Sequence, residues 1–251
     1  MPVEDLGGLC YNTRVMATPL RFIVTAGPTR EYIDPVRFIS NPSTGRMGFA
    51  VARAAAKRGH AVTLVAGPVA LRTPRGVARV DVVSAREMLA AVEKAVQSPA
   101  PTADSGASAP AAEPGPERTF LVATAAVADW RPKTQAAAKL KKTEMSGILE
   151  LVRNPDILKT VSGCRKIGFA AETGADDIGE ARRKCREKGA EMVVFNDVTA
   201  PGAGFGSRTN RVTFVHSGGG EERLELMGKD AIGARIVKFC EQCAARAERT
   251  P

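Results

Sequence analysis

The sequence has 251 residues, with 36 Lys plus Arg against 27 Asp plus Glu, a net charge of +9, and 44% hydrophobic but only 5% aromatic residues. That apolar content supplies a core and excludes a wholly disordered chain, while five cysteines are too few, and odd in number, for a disulfide scaffold. No run approaches the ~18 apolar residues of a membrane span, and the positive balance points to acidic partners, either nucleic acid or small phosphorylated molecules.

In chain order, Met1 to Leu20 shows no periodicity and reads as a loose arm; Met16 is an alternative start. Its acids, glycines and missing apolar centre do not fit a signal peptide, so a cytoplasmic, reducing setting with free thiols is expected. Arg21 to Ala26 reads as a buried strand stopped by Gly27-Pro28. Arg46 to Arg58 reads as a helix ended by Gly59, and Ala61 to Ala66 and Arg79 to Val83 as further strands. Ser84 and Glu87 have capping-box spacing and open a helix to about Gln97.

Residues 98 to 116, rich in Pro and Ala and without aromatic or branched aliphatic side chains, read as a flexible insertion. Thr119 to Thr124 resumes the strand pattern, and Asn154-Pro155 reads as a short helix start with Asn as cap. Lys166 to Ala170 is a strand, Asp176 to Lys188 a helix, and Glu191 to Phe195 a strand. Arg211 to Met227 reads as a hairpin around Gly218 to Gly220, followed by a helix from Lys229 to about Arg246. This alternation predicts an α/β fold, a doubly wound, mostly parallel Rossmann-like sheet flanked by helices, with a C-terminal β-hairpin. Residues 21 to 251 are then one domain carrying the 98 to 116 insertion.

Ligands of such sheets bind beyond the carboxyl ends of the strands, and three segments there carry chemistry. The segment Gly27 to Gly48 is far longer than an ordinary βα connection and ends in Asn41, Ser43, Thr44, Gly45 and Gly48 just before a helix, which suits an anion. Capping by Ser43 or Thr44 is the plainer explanation, but it accounts for one residue and not the whole run. The segment Ala125 to Gly147 carries Asp129, Trp130, Arg131, Lys133, Lys139, Lys141 and Lys142. It reads equally as a solvated basic helix and as a loop that brings lysines to a polyphosphate. The third holds Lys184 and Lys188, four apart on one helix face, and by itself reads as a surface charge run.

A dinucleotide-binding reductase using NAD(P) is the main rival, but G-x-G-x-x-G is missing and the second strand ends in Ala66-Gly67-Pro68 without a ribose-binding acid. A nucleic-acid-binding module would need stacking aromatics, and the chain has one Trp and two Tyr. Cys240 and Cys243 form a CxxC late in a helix, with no second pair for zinc, and His60 and His216 have no nucleophile motif nearby.

Taken together, TAGPTREYIDPVRFISNPSTGRMG, ATAAVADWRPK with AKLKK, VRNPDIL, GFAAET and VVFNDV resemble the phosphopantothenate–cysteine ligase family of coenzyme A synthesis. The resemblance implies condensation of phosphopantothenate with cysteine through an acyl-nucleotide, with release of pyrophosphate and nucleotide monophosphate. It implies Mg2+, CTP in preference to ATP, no flavin, a homodimer and a cytoplasmic location, with no nucleic acid and no membrane. A stand-alone ligase is expected, since twenty loose residues leave no room for the flavin-dependent decarboxylase fused to many relatives; a separate decarboxylase is then a possible partner.

Carried over by position, Asn41 holds the acyl-nucleotide, with Arg37 and Ala126 beside it, and Ser43, Gly45 and Gly48 line the substrate phosphate. Ala123, Thr124, Ala125, Asp129, Pro155, Asp156, Ile157, Leu158 and Phe169 form the nucleotide pocket. Lys139, on a mobile flap, joins Lys184 and Lys188 on the triphosphate, which replaces the surface reading of that helix. The resemblance makes Asn41 and Lys139 the catalytic pair. Arg46, Pro42 and Trp130 depart from the commoner Lys, His and Tyr of the family.

Overall fold

A computed structural model describes residues 19–100, 115–144, 147–172, 178–197, 199, 202–204 and 206–249. The arm as far as residue 18 and the middle of the proline-rich insertion, 101–114, lie outside the described residues. Leu20, assigned to the arm, instead belongs to the core at 2% exposure; its N–H donates to His60 Nδ1 at 3.2 Å.

Strand β1 (Arg21–Ala26) is buried at every position, as a central strand covered on both faces requires. A short hairpin, β2 (Arg30–Tyr32) and β3 (Phe38–Ser40), occupies the overlong loop that follows. Helix α1 (Arg46–Lys57), β4 (Ala61–Ala66), β5 (Ala78–Asp81) and α2 (Ala85–Gln97) come next. At the start of α2, Ser84 accepts from Glu87 N–H as the predicted cap, while the Glu87 carboxylate accepts from Val83 N–H, one residue before the position that a strict capping box uses.

Beyond the insertion run β6 (Thr119–Ala123), a second hairpin of β7 (Trp130–Pro132) and β8 (Leu151–Arg153), and α3 (Ile157–Thr160). The α3 cap is Asp156, which accepts from Lys159 N–H, and not Asn154 as expected. Asn154 is diverted because its amide donates to Ala128 O at 2.8 Å, tying two loops together. Among its described residues, the basic stretch after β7 forms no α-helix; a 3-10 turn, Lys142–Glu144, interrupts it.

Then come β9 (Arg165–Glu172), α4 (Ile178–Lys188), β10 (Met192–Asp197), β11 (Thr209–Asn210), β12 (Val212–His216), β13 (Glu221–Arg223), β14 (Met227–Gly228) and α5 (Lys229–Ala247). The final hairpin is shorter than expected, because its second arm leaves the sheet after Arg223. Leu224 turns into the core at 6% exposure, and β14 pairs with β11 instead.

The main sheet has the order β13-β12-β10-β9-β6-β1-β4-β5, parallel except for β12 and β13. It is the predicted doubly wound, Rossmann-like sheet. Helices α1 and α5 cover one face over Phe22, Val24, Val122, Ile167, Met192 and Val194. Helix α2 and α3 pack on the other face against Ile23, Leu121 and Val65, and α4 against Val193, Phe195 and Val215. The strand order reverses between β1 and β6, which opens a crevice beyond their carboxyl ends. Among the described residues, no helix is long and apolar enough to cross a membrane.

Candidate functional site

The loops after β1 and β6 are stitched together over that crevice. Ala126 N–H donates to Gly27 O at 2.9 Å, Ala128 N–H to Thr29 Oγ1 at 3.0 Å, and Thr124 Oγ1 to Thr25 O at 2.6 Å. Asn41 reaches across from the first loop, its Nδ2 lying 3.2 Å from both Ala126 O and Val127 O. Asn41 itself lines the cavity that fills the crevice.

Helix α1 opens at Gly45, whose φ of 74° is left-handed and whose lack of a side chain leaves the first turn without a side-chain cap. Ser43 Oγ accepts only from Gly45 N–H, at 3.3 Å. Ser43 therefore does not cap the first turn of α1, and the positive end of that helix lies on the crevice lining. Gly48 is required by space: a Cβ there would sit 2.5 Å from both Ala26 Cβ and Thr124 Oγ1.

A cavity of about 900 Å³ fills the crevice, within the ~300–1,000 Å³ range of small-molecule sites. It is lined by Asn41, Ser43, Gly45 and Gly48, by Ala123 to Ala126 and Asp129, and by Pro155 to Leu158. Phe169, Lys184 and Lys188 complete the expected set. Lys184 and Lys188 do share a face, each held by a carboxylate: Lys184 Nζ lies 2.7 Å from Glu172, and Lys188 Nζ 3.0 Å from Asp156. These carboxylates stand where oxygens of an anionic ligand would otherwise meet the lysines.

Two expected residues, Arg37 and Lys139, are not on the cavity lining. Arg37 is ion-paired with Asp34 and donates to Leu140 O at 2.9 Å, while Leu140 N–H donates to Asp34 Oδ2 at 3.2 Å. The Arg37 guanidinium, with backbone donors from Val36, Arg37 and Leu140, holds the Asp34 carboxyl well below the usual carboxylate range. Arg37 therefore latches the segment that carries Lys139, and Lys139 itself is exposed.

Sequence reasoning gave no site role to Arg183, Asn196, Asn210 and Lys229, all on the lining, and noted Arg46 there only as a departure from the family's lysine. Asn196 lies inside a segment singled out as a motif, yet its role went unread. Lys229, first in its helix, carries no local sign of burial. Among the described residues, no three His, Cys, Asp or Glu side chains cluster to hold a metal. Asp129, Asp156 and Glu187 line the cavity singly, a donor set that fits Mg2+ carried in on a polyphosphate better than a dedicated cage.

The model of the DNA/pantothenate metabolism flavoprotein C-terminal domain matches residues 18–111 and 101–243. The chain belongs to that family. It is 42% identical over 229 residues to the coenzyme A biosynthesis bifunctional protein CoaBC of Vibrio cholerae, covering 88% of this chain and 52% of that protein. The Bacillus subtilis CoaBC is 41% identical over 234 residues, covering 91% and 52%. The chain thus spans about half the length of the curated relatives it matches. The crystal structure of the C-terminal domain of CoaBC superposes with a TM-score of 0.69 at 37% identity, covering 90% of this chain and 96% of that one. A Cab2 mutant in complex with phosphopantothenate-cysteine shares the fold, with a TM-score of 0.70 at 14% identity, covering 92% and 89%.

Proposed function

We propose that this chain condenses phosphopantothenate with cysteine to phosphopantothenoylcysteine, with CTP as the favoured activating nucleotide. The observation that carries the reading is that one cavity joins an α-helix N-terminus without a side-chain cap to two lysines one turn apart, with Asn41 between the loops at its mouth. Membership of a pantothenate-metabolism family, and likeness to proteins of coenzyme A biosynthesis, support it.

The chemistry needs little beyond placement and charge. An oxygen of the substrate carboxylate attacks the α-phosphorus of the nucleotide, the bond to the β-phosphate oxygen breaks, and pyrophosphate leaves. The cysteine amine then attacks the acyl carbon of the mixed anhydride. The C–O bond breaks, the nucleotide monophosphate departs, and the nitrogen loses a proton to leave an amide.

In this reading Ser43, Gly45 and Gly48 receive the substrate phosphate, and Ala123 to Ala125, Asp129, Pro155 to Leu158 and Phe169 receive the nucleotide. Lys184 and Lys188 exchange Glu172 and Asp156 for the triphosphate. Lys139 reaches it only after the latched segment moves, with Arg37 positioning that segment. Asn41, anchored through its Nδ2, offers its carbonyl to the acyl-nucleotide beside Ala126. Mg2+ supplies further charge neutralisation at the triphosphate, where Asp129 and Asp156 are the carboxylates that would hold it.

The test is pyrophosphate release from CTP, and separately from ATP, with phosphopantothenate and cysteine present. Release that does not depend on phosphopantothenate sinks the reading, and faster turnover with ATP overturns the CTP preference. We also propose a homodimer, for which the exposed Val36, Phe38, Leu149 and Leu151 around the two hairpins offer an apolar surface. Light scattering that returns the monomer mass of 26.5 kDa at micromolar concentration refutes it.

A further inference from the structure

The segment that carries Lys139 is fastened to the β2–β3 hairpin through one buried carboxylate. Asp34, in the turn between the two strands, is fully enclosed at 0% exposure. Its Oδ1 accepts from Val36 N–H at 2.8 Å and from Arg37 N–H at 2.9 Å, the ordinary bonds of an aspartate closing its own turn. Its Oδ2 reaches much further along the chain. It accepts from Arg37 Nε at 2.9 Å and from the N–H of Leu140, 106 positions away, at 3.2 Å. The Arg37 guanidinium also donates to Leu140 O at 2.9 Å, so both backbone groups of Leu140 are held by one ion pair.

A second tie lies four residues earlier, where Ala136 N–H donates to Ile33 O at 2.9 Å. Ala136 and Leu140 are half-buried, and residues 137–139 between them are exposed. Lys139 thus rides on a short exposed run whose two ends are pinned to the turn of the hairpin. The hairpin itself is mounted on the core. Glu31, 4% exposed, accepts from Ala85 N–H at the start of α2 at 2.9 Å, and Arg30 N–H donates to Val83 O at 2.8 Å. Ser40 Oγ donates to Thr29 O at 2.7 Å, and Asn41 follows at once on the cavity lining. One arm therefore holds Asn41 at its root and the ends of the Lys139 run at its tip.

The chemistry at Oδ2 calls for a carboxylate and not an amide. Val36, Arg37 and Leu140 all meet Asp34 with donors, and an ionised carboxylate is an acceptor only. A buried charge is costly unless it is paired, and here Arg37 pairs it while Leu140 N–H fills a remaining lone pair. An asparagine could keep the two turn bonds through its Oδ1, but its Nδ2 would face the donors of Arg37 and Leu140. Only the long-range tie would fail. Fixing a loop costs conformational entropy, so ties that hold the run beforehand lower what closure over a ligand must still supply.

We propose that Asp34 is a positioning residue of the ligation, whose Oδ2 staples the Lys139 segment to the arm that ends in Asn41. Lys139 and Asn41 are thereby presented to one reaction centre from a common mount, with the exposed run 137–139 as the part that moves. The inference rests on the ligase reading and deepens it.

The test places Asp34→Asn in the unaltered chain and in a Lys139→Met background, reading kcat, the phosphopantothenate KM and tryptic cleavage after Lys139, Lys141 and Lys142. Loss of a charge-assisted tie predicts cleavage of the native Asp34→Asn protein there roughly tenfold faster or more, since cleavage follows the population of the opened segment. It also predicts a kcat about tenfold lower, with the phosphopantothenate KM within about twofold. Lys139→Met alone should be slow. Adding Asp34→Asn to it should change kcat by less than about twofold, because effects of residues that act through one another do not add. A residue that only supports the fold would instead slow both backgrounds by the same factor, and that result overturns the proposal. So does unchanged cleavage, an unchanged kcat, or a Lys139→Met protein as fast as the unaltered one. Should Asp34→Asn not fold, Arg37→Gln, which removes the tie to Leu140 O, takes its place with the same outcomes. If the unaltered protein releases no pyrophosphate, the ligase reading has failed, and the cleavage comparison alone decides whether Asp34 staples the segment.

Discussion

Gly48→Ala is the sharpest test of how the fold shapes the anion end of the site. The added methyl would lie 2.5 Å from Ala26 Cβ, 2.5 Å from Thr124 Oγ1 and 2.9 Å from Thr25 O. Carbon atoms rest at about 3.5–4.0 Å, so α1 must move away from β1 by about 1 Å or Thr124 must turn aside. Ala26 Cβ belongs to the sheet and cannot rotate away. Thr124 can, but only by giving up its 2.6 Å bond to Thr25 O, worth about 1 kcal/mol. Overpacking of this kind costs about 1–3 kcal/mol, and alanine returns about 1 kcal/mol through better helix propensity. The expected loss is about 2 kcal/mol, or about 4–8 °C in melting temperature for a chain of this size.

Displacement of the α1 N-terminus should also raise the phosphopantothenate KM by about tenfold or more, because misplacement of about 1 Å can cost a hundredfold. Calorimetric melting and initial-rate kinetics measure the two effects. Gly218→Ala is the control, since nothing lies within 4 Å of its added Cβ. A Gly48→Ala protein that melts with the control and keeps its KM would refute the steric reasoning and the placement of the phosphate together.

Asn41→Asp should form the acyl-nucleotide yet release product at least about tenfold more slowly, because a carboxylate has no N–H for Ala126 O and Val127 O; rapid quench with labelled CTP follows the intermediate, and an unchanged overall rate removes Asn41 from the mechanism. Lys184→Met and Lys188→Met should each raise the CTP KM by about tenfold and leave the phosphopantothenate KM in place, as steady-state kinetics will show. Acid should destabilise the fold through His60 and Glu241, which lie 2.9 Å apart. Burial holds His60 below the usual histidine value, and protonating its Nδ1 would break the bond from Leu20 N–H. Stability is therefore lost as pH falls below about 6.5, where the unfolded histidine takes up its proton first. For Glu241, burial pushes the carboxyl up, but hydrogen bonds from Arg58 and His60 outweigh it, so a further loss follows as pH falls through its lowered value. A melting temperature that is flat from pH 7.5 to about 4 contradicts this sign.

The periodic strands, the Ser84 cap of α2 and the overlong loop before α1 were legible because each is a local pattern with a local cause. Burial on both faces of a parallel sheet demands the unbroken apolar runs of β1, β4 and β6, and a motif such as Ser43 to Gly48 advertises close backbone approach. The pairing of Lys184 with Lys188 likewise follows from helical spacing alone. What spacing could not reveal was direction and company. Arg37 and Lys139 sit in segments rich in ligand-like residues, yet the structure couples them through Asp34 and Leu140 off the cavity wall. Asn154 looked like a cap and serves instead as a tie between loops.

The sequence by itself determined the alternation of strands and helices, and hence the kind of sheet. Only the tertiary structure decided which side chains share the crevice, because strands far apart in the chain become neighbours where the order reverses between β1 and β6. It also decided that Lys229 is buried: its position on α5 is locally indistinguishable from an exposed helix start, and the packing of Gly233 on Ala50 carries it inside. Burial of a charge is a property of the whole packing, and no single stretch of residues encodes it.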